Sequence, residues 1–433
     1  MAIRTALSTK RFSKRLIYSS IGKIPMRKVF FCFIFTVLLC GYAHSLTWNE
    51  VSALGEKNSH DLIAAQKQLE STEWTYRRSY STFLPQLSAS AGYSESNVVG
   101  SDATSKNYTY GLSATQNLFQ GMDEYYGVQS AYANLEYQKA DLQATKASVF
   151  YDLRSAFINL MTAQENVKLL QKILEQRKQN SRLIQLRYDS GREDQGNLMS
   201  TKADEASADY DFKSAKRDLE LASLKLSQLI RQEISGEVEA VEAGTPEAAD
   251  LYQLVKETPD QVKAAKTLEI AEISQRSNIS GFLPTLSLRA SDSHSGDEWP
   301  PGDSTRSWSM NLSYSLFPGI SNVADWAIGA ADLDKAKENY AQSENDLLYG
   351  LKQTYQSYLN ALDALEVSRV SLAANAERAK ITEAKYLNGL TTYDEWSRLN
   401  NSYIQAQKSL LSAERSALVA EAAWHKSYGG WIK

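Results

Sequence analysis

FLPQLSASA, residues 83–91, recurs 199 positions later as FLPTLSLRA, residues 282–290. Each copy follows a tract with helical spacing and opens a tract in which apolar and polar residues alternate. The Leu-Pro pair explains the change, because proline lacks an amide hydrogen and disfavours helix in the residue before it. Beyond it Leu87, Ala89, Ala91 and Tyr93 fall on one face, and Ser88, Ser90, Gly92 and Ser94 on the other. That is a period of two, the signature of a strand.

Two further runs behave the same way. In NYTYGLSATQNLF (107–119), Tyr108, Tyr110, Leu112 and Ala114 alternate with Thr109, Gly111, Ser113 and Thr115. In SWSMNLSYSLF (307–317), Trp308, Met310, Leu312 and Tyr314 alternate with serine and Asn311. Four strands are predicted, over about 84–96, 107–118, 283–293 and 306–317. A half-buried soluble sheet would show alternation too. Against it stand a polar face of uncharged Ser, Thr, Gly and Asn, aromatic residues near the ends of the apolar face, and runs of about 11 residues, the length a tilted membrane strand needs. Four strands cannot close a barrel, and lipid tolerates no open edge. The chain is therefore expected to oligomerise, a dimer giving eight strands and a trimer twelve.

The duplication reaches beyond the strands. Asp61 and Asp260, like Phe83 and Phe282, stand 199 apart; Phe119 and Phe317, Tyr188 and Tyr386, and Gly191 and Gly389 stand 198 apart. Near-constant register over so many anchors means two copies of one unit, 46–232 and 250–433, joined by the acidic linker EISGEVEAVEAGTPEAA at 233–249. Each unit reads helix, strand, strand, very long helix, turn, helix, with first helices at about 48–81 and 250–280. From Asp123 to Tyr188 no proline intervenes, which predicts roughly 100 Å of helix. Val149, Leu153, Ala156, Leu160, Ala163, Val167, Leu170 and Leu174 follow coiled-coil spacing, and Leu347, Leu351, Tyr358, Ala361, Leu365 and Leu372 a looser version of it.

Ahead of the first unit, basic residues, the apolar run VFFCFIFTVLLC (29–40) and Ala43-His44-Ser45 have the order of a secretory signal peptide. Cleavage is expected after Ser45. Met26 offers an alternative start, and Cys40 a lipoprotein signal against which the bulky Leu39 stands. Removing 1–45 takes away eight of the 47 basic residues and none of the 51 acidic ones, leaving 39 against 51 and a formal charge of −12. So acidic a chain does not suit nucleic acid. Both cysteines leave with the leader, so cysteine-built metal sites are excluded from the remainder. His60, His294 and His425 are far apart with no nucleophile motif, and no Gly-rich phosphate loop is present. No catalysis and no cofactor are expected.

Taken in order, these residues resemble TolC-like outer-membrane efflux proteins. The resemblance rests on Asp61, Ala64-Ala65 and Leu84-Pro85-Gln86-Leu87-Ser88, repeated as Asp260, Ala264-Ala265 and Leu283-Pro284-Thr285-Leu286-Ser287. It also rests on Leu118-Phe119-Gln120-Gly121 and Leu316-Phe317-Pro318-Gly319, and on the turns Arg187-Tyr188-Asp189-Ser190-Gly191 and Lys385-Tyr386-Leu387-Asn388-Gly389. It implies a mainly helical homotrimer, with a twelve-stranded barrel in outer-membrane lipid above a twelve-helix periplasmic barrel. It also implies docking to a periplasmic adaptor protein and an inner-membrane transporter, in efflux or type I secretion. The rivals are a stand-alone diffusion porin, which has no use for the long helices, and a coiled-coil scaffold, which has none for the strands.

The resemblance further implies that the helix turns, 188–198 and 386–396, form the periplasmic aperture. Tyr188, Gly191, Tyr386 and Gly389 would then face the adaptor. The family carries a carboxylate six positions past the turn glycine; here those positions are Asn197 and Glu395, so the first copy departs from the pattern. Arg398 stands where an acid is often seen, at i,i+3 from Glu395, and Asp194 and Asp394 complete the candidate aperture set. The plain alternatives are helix C-caps at both glycines and a Thr392–Glu395 capping box. Arg289 replaces the matching Ser90 and by alternation shares the polar, lumen-facing side.

Overall fold

The computed structural model describes residues 46–432 apart from 98, 101–103, 235 and 247–249. The expected leader and its cleavage point lie outside the described residues. The first copy comprises α1 (Trp48–Asn58), α2 (His60–Ser79), β1 (Gln86–Asn97), β2 (Thr104–Gln120), α3 (Asp123–Asp189) and α4 (Gln195–Ile230). The second comprises α5 (Leu251–Glu257), α6 (Pro259–Ser277), β3 (Thr285–Gly296), β4 (Asp303–Ser313), α7 (Ser321–Leu387) and α8 (Tyr393–Ser427).

The single opening helix of the sequence reading is two helices in each copy. Ser59 ends α1 and caps α2, accepting from the Leu62 amide at 3.4 Å; Thr258 ends α5 and caps α6, accepting from Gln261 at 3.2 Å. Both hold extended backbone, and Pro259 follows at the first helical position, where its missing amide hydrogen is not needed. Hydroxyl caps of this kind are worth about 1 kcal/mol. Each helix then tightens into a 3-10 turn, Tyr80–Phe83 or Asn278–Phe282, and stops at its Leu-Pro pair.

The four strands form one antiparallel sheet in the order β1-β2-β3-β4. Paired residues share a face. Ser88 lies opposite Ser113, Ser113 opposite Ser291, and Ser291 opposite Ser307, so hydroxyls run straight across the sheet. Two of these pairs bond directly, Ser88 with Ser113 at 2.7 Å and Ser291 with Ser307 at 2.9 Å. The other face carries Leu87, Ala114, Ala290 and Trp308 in register, interrupted toward the outer turns by an Arg306–Asp292 ion pair at 3.3 Å. β1 and β4 are the open edges. β4 starts three residues ahead of the sequence reading and stops at Ser313, so Tyr314–Phe317 are not in the sheet. The reason is a missing partner: Ser313 pairs with Thr285, the first residue of β3, and Pro284 beyond it has no amide hydrogen to give. The matching end of β2 does continue to Gln120, bulged at Leu118, because β3 lies beside it.

The long helices α3 and α7 each run 67 residues, roughly 100 Å. α3 is central, packed by α1, α2, α4, α6 and α8, whereas α7 meets α5, α6 and α8. The seam predicted on α3 is buried at Val149, Leu153, Ala156, Leu160, Leu170 and Leu174 and half-buried at Ala163 and Val167. Midway along, Phe150, Leu153, Phe157 and Leu160 meet Trp48 and Val51 of α1, Leu226 and Ile230 of α4, and Val238 of the linker. The linker is thus part of the core. Val238 pairs with Leu46 and takes a bond from its own amide to Gln164 at 3.0 Å. Further along, the Gly244 amide donates to Glu421 of α8 at 2.9 Å, and the Tyr358 hydroxyl of α7 donates to the Gly244 carbonyl. The strap therefore crosses from one copy to the other.

Candidate functional site at the helix turns

Both long helices end in the same cap. The Arg192 amide bonds back to Arg187 at 2.8 Å and Gly191 to Tyr188 at 2.9 Å; Leu390 bonds back to Lys385 at 2.8 Å and Gly389 to Tyr386 at 3.0 Å. This double reversal requires a left-handed residue, and Gly191 (φ 69°) and Gly389 (φ 71°) supply it without a side-chain clash. The glycines are caps, and their geometry sets the sharp turns that bring four helix ends together.

Below the caps the copies diverge. Tyr386 is buried, stacked on Trp396 at 4.8 Å with the rings 5° apart, and packed with Ile184, Leu198 and Tyr393. All four helices contribute to that cluster, α8 with two residues. The Tyr386 hydroxyl donates to Glu193 of the first turn, and the Arg187 guanidinium sits over its ring at 4.7 Å. Arg187 also lies 3.7 Å from the Glu193 carboxylate. Burial first, and then the bond to Glu193, hold the Tyr386 phenol above its ordinary pKa. A second hydroxyl bridge joins Thr201 of α4 to Tyr393 of α8 at 2.7 Å. Tyr188, the counterpart of Tyr386, is instead on the surface.

The sequence-selected residues occupy distinct places. Asp194 caps α4, accepting from the Asn197 amide at 2.9 Å. The Asn197 side chain donates to Glu193 at 2.8 Å and to Asp194 at 2.7 Å, a bridging role that a carboxylate could not fill. Glu395 and Arg398 form an open ion pair at 3.8 Å, both more than half exposed. Asp394 and Arg398 line a polar groove with Ser397, Asn401 and Ser371. The Thr392–Glu395 box is only half made: Thr392 accepts from the Glu395 amide at 3.3 Å, but the Glu395 carboxylate takes the Thr391 hydroxyl at 3.3 Å. The Thr391 hydroxyl takes the place of the Thr392 amide on that carboxylate.

Sequence reasoning missed Glu193, Tyr393 and Trp396, all of which hold the turns together. It also missed the polar contacts higher up, where Arg177 of α3 bonds Asp204 of α4 at 3.1 Å and also reaches Asn401 of α8, while Gln176 bonds Asn400 at 2.9 Å. The aromatic spacing Tyr386, Tyr393, Trp396 was the available signal, since large rings flanking a tight turn are its natural filling. Among the described residues no group of three or more His, Cys, Asp or Glu side chains is placed to hold a metal, and no helix is long and apolar enough to cross a membrane.

The model of a protein family described as "Outer membrane efflux protein" matches the chain twice, over 53–230 and 251–430. No curated protein sequence matches it. Among solved structures, CusC is similar at 17% identity, with 88% of this chain and 92% of that chain covered and a TM-score of 0.79. The open-state MtrE outer membrane channel of Neisseria gonorrhoeae is similar at 18% identity, with 88% of each chain covered and a TM-score of 0.76. VceC of Vibrio cholerae is similar at 17% identity, covering 89% and 96%, with a TM-score of 0.75. At these identities the likeness is one of fold.

Proposed function

The chain belongs to the outer membrane efflux protein family, and from that membership we propose that it is the passive exit duct of a three-part export assembly. It sits in the outer membrane and reaches into the periplasm. In this reading three copies close twelve strands into a barrel and twelve helices into a tunnel. A periplasmic adaptor and an inner-membrane transporter engage the turns bearing Tyr188, Gly191, Tyr386 and Gly389. Energy comes from that transporter, and small molecules or polypeptides leave through the lumen.

The observation that carries the reading is continuity. Each strand hairpin, of a length suited to a bilayer, leads within a few residues, Gly121-Met122 in the first copy and Tyr314 to Ile320 in the second, into a helix roughly three times the thickness of the hydrocarbon core. The open edges β1 and β4 support closure by further copies, since unpaired edges are not stable in lipid. Two flanks add to this. α7 exposes Val323, Ile328, Tyr349, Val367 and Val370, and α4 exposes Met199, Tyr210, Leu221 and Leu224. In the ring, the α4 flank of one copy covers the α7 flank of the next.

At the turns, the Tyr386–Glu193 bond and the cluster around it tie the second hairpin to the first. Widening the aperture by swinging α7–α8 outward breaks them, so they favour the closed arrangement. Glu395, Arg398, Asp394, Asn197 and Asp194 are the charged and polar lining through which permeating ions pass. Single-particle imaging of the protein extracted from the outer membrane tests the assembly: the expected object is a threefold cylinder well over about 100 Å long. A short barrel without the helical tube, or a particle that needs no detergent, overturns the reading.

A further inference from the structure

The polar face of the sheet is almost without charge. In register across β1 to β4 it presents Ser90, Gly111, Ser293 and Thr305 at one level and Ser88, Ser113, Ser291 and Ser307 at the next. Arg289 breaks the pattern. It lies opposite Thr115 on β2 and Ser309 on β4, with Ser287 and Ser291 above and below it on its own strand. None of these neighbours bears a charge, and Arg289 makes no ion pair among the described residues. The one acid on this face, Asp303, lies opposite Ser295. That is six residues farther along the strand, about 20 Å away. The other charged side chains of the hairpins, Glu95, Lys106, Asp292 and Arg306, fall on the opposite face. Arg289 is exposed, and a guanidinium stays charged at any physiological pH.

We infer that Arg289 makes the barrel an anion-preferring section of the duct, and that its cargo carries a carboxylate, sulfonate or phosphate group. The inference rests on the trimeric duct proposed above, in which the polar face lines the lumen. Three copies place three uncompensated cations at one level, toward the helical end of the sheet. In a water-filled passage their field extends over about a Debye length, 8–10 Å near physiological ionic strength. Hydroxyls around them accept hydrogen bonds from the guanidinium and donate to anions, but they do not neutralise it. The matching residue of the first copy, Ser90, supplies no charge, so the ring has three cations rather than six.

The test uses the full-length protein in planar bilayers, in a KCl gradient kept near about 0.1 M so that screening stays weak. Reversal potential is read first. Inorganic tripolyphosphate is then added on the outer side and its block of the current titrated. Arg289→Gln should shift the reversal potential toward cation preference and weaken the block at least about tenfold. Arg289→Glu should do more, and Arg289→Lys should keep both properties. Unchanged reversal potential and block in Arg289→Gln and Arg289→Glu overturn the inference while leaving the duct intact. A wild-type protein that forms no conducting pore overturns the duct, and the inference with it. Should Arg289→Gln fail to assemble, Arg289→Lys against Arg289→Glu gives the same contrast.

Discussion

α3 and α7 are counterparts of identical length, yet α3 buries 18 residues and α7 five. Their middles agree: Leu153 and Leu351, and Leu160 and Tyr358, are buried at matching positions. Below the middle they part. Where α3 turns Leu170 and Ile173 into a core with Ala208, Ala215 and Ile404, α7 has Ser368 half-buried and Ser371 on the surface. Its apolar residues have moved to Val367 and Val370, which face outward. The difference teaches that duplication fixed the length and the midpoint packing, while the surroundings of each helix decide the rest. α3 is enclosed within one copy, whereas α7 leaves an apolar flank exposed, the flank that a second copy covers in the proposed ring.

The largest effect should come from the enclosed helix. Phe157 is fully buried beside Trp48, and Phe157→Ala should cost about 3–5 kcal/mol. Against a typical margin of 5–15 kcal/mol that is a large share, visible as a lower midpoint in helical circular dichroism. The counterpart Tyr355, only partly buried against Trp424, should lose less when changed to Ala. Equal losses would break the contrast. Next comes the outward flank. Val367→Asp with Val370→Asp should leave the helical signal of the chain in place but abolish the trimer in light scattering. Leu170→Asp with Ile173→Asp should remove both. A trimer surviving the valine changes would mean that something other than a second copy covers α7.

This contrast also marks what could be read in advance. The repeat, the Leu-Pro stops, the alternating strands and the uninterrupted helices were legible because each follows from local chemistry: a missing amide hydrogen, a period of two, an absence of breakers. The break at Ser59 was hidden, since a hydroxyl inside a helical tract signals a cap only if the backbone turns there, whereas the one at Thr258 had a local sign in Pro259. The strap at 233–249 reads as a loose acidic linker, because its hold on α3 and α8 comes from Gln164 and Glu421, distant in sequence. At the turns, the glycines declared themselves. The unequal fates of Tyr188 and Tyr386 did not, because the same residue in the same cap meets different neighbours.

That inequality sets the third effect. Tyr386→Phe removes the hydroxyl that reaches Glu193, whose side chain is 9% exposed, and leaves a buried carboxylate short of a donor. Such a loss is worth about 1–3 kcal/mol. In the proposed duct the bond joins the two hairpins of a closed aperture, so open events in planar bilayers should rise about fivefold or more. Tyr188→Phe, on the surface, should change nothing. If the two variants conduct alike, the buried cluster is packing and not a latch.

The smallest effect belongs to the exposed pair at the second turn. Glu395 and Arg398 stand 3.8 Å apart with side chains 54% and 64% exposed, so the pair contributes well under about 1 kcal/mol to stability. Glu395→Ala and Arg398→Ala should each leave the melting midpoint where it was. Any change must therefore appear in what passes. Removing Glu395 should lower cation preference, and removing Arg398 should raise it, each by a modest shift in reversal potential that fades as salt rises. Asn197→Ala at the matching site of the first copy should behave differently. It frees Glu193 and Asp194 from their shared amide, so both carboxylates gain acceptor capacity and the closed turn loosens. Selectivity moving with Glu395 and Arg398, while gating moves with Asn197, would mean that one duplicated turn has divided its work between charge and constraint. Identical behaviour at both sites would leave the copies functionally alike at the aperture, whatever their burial.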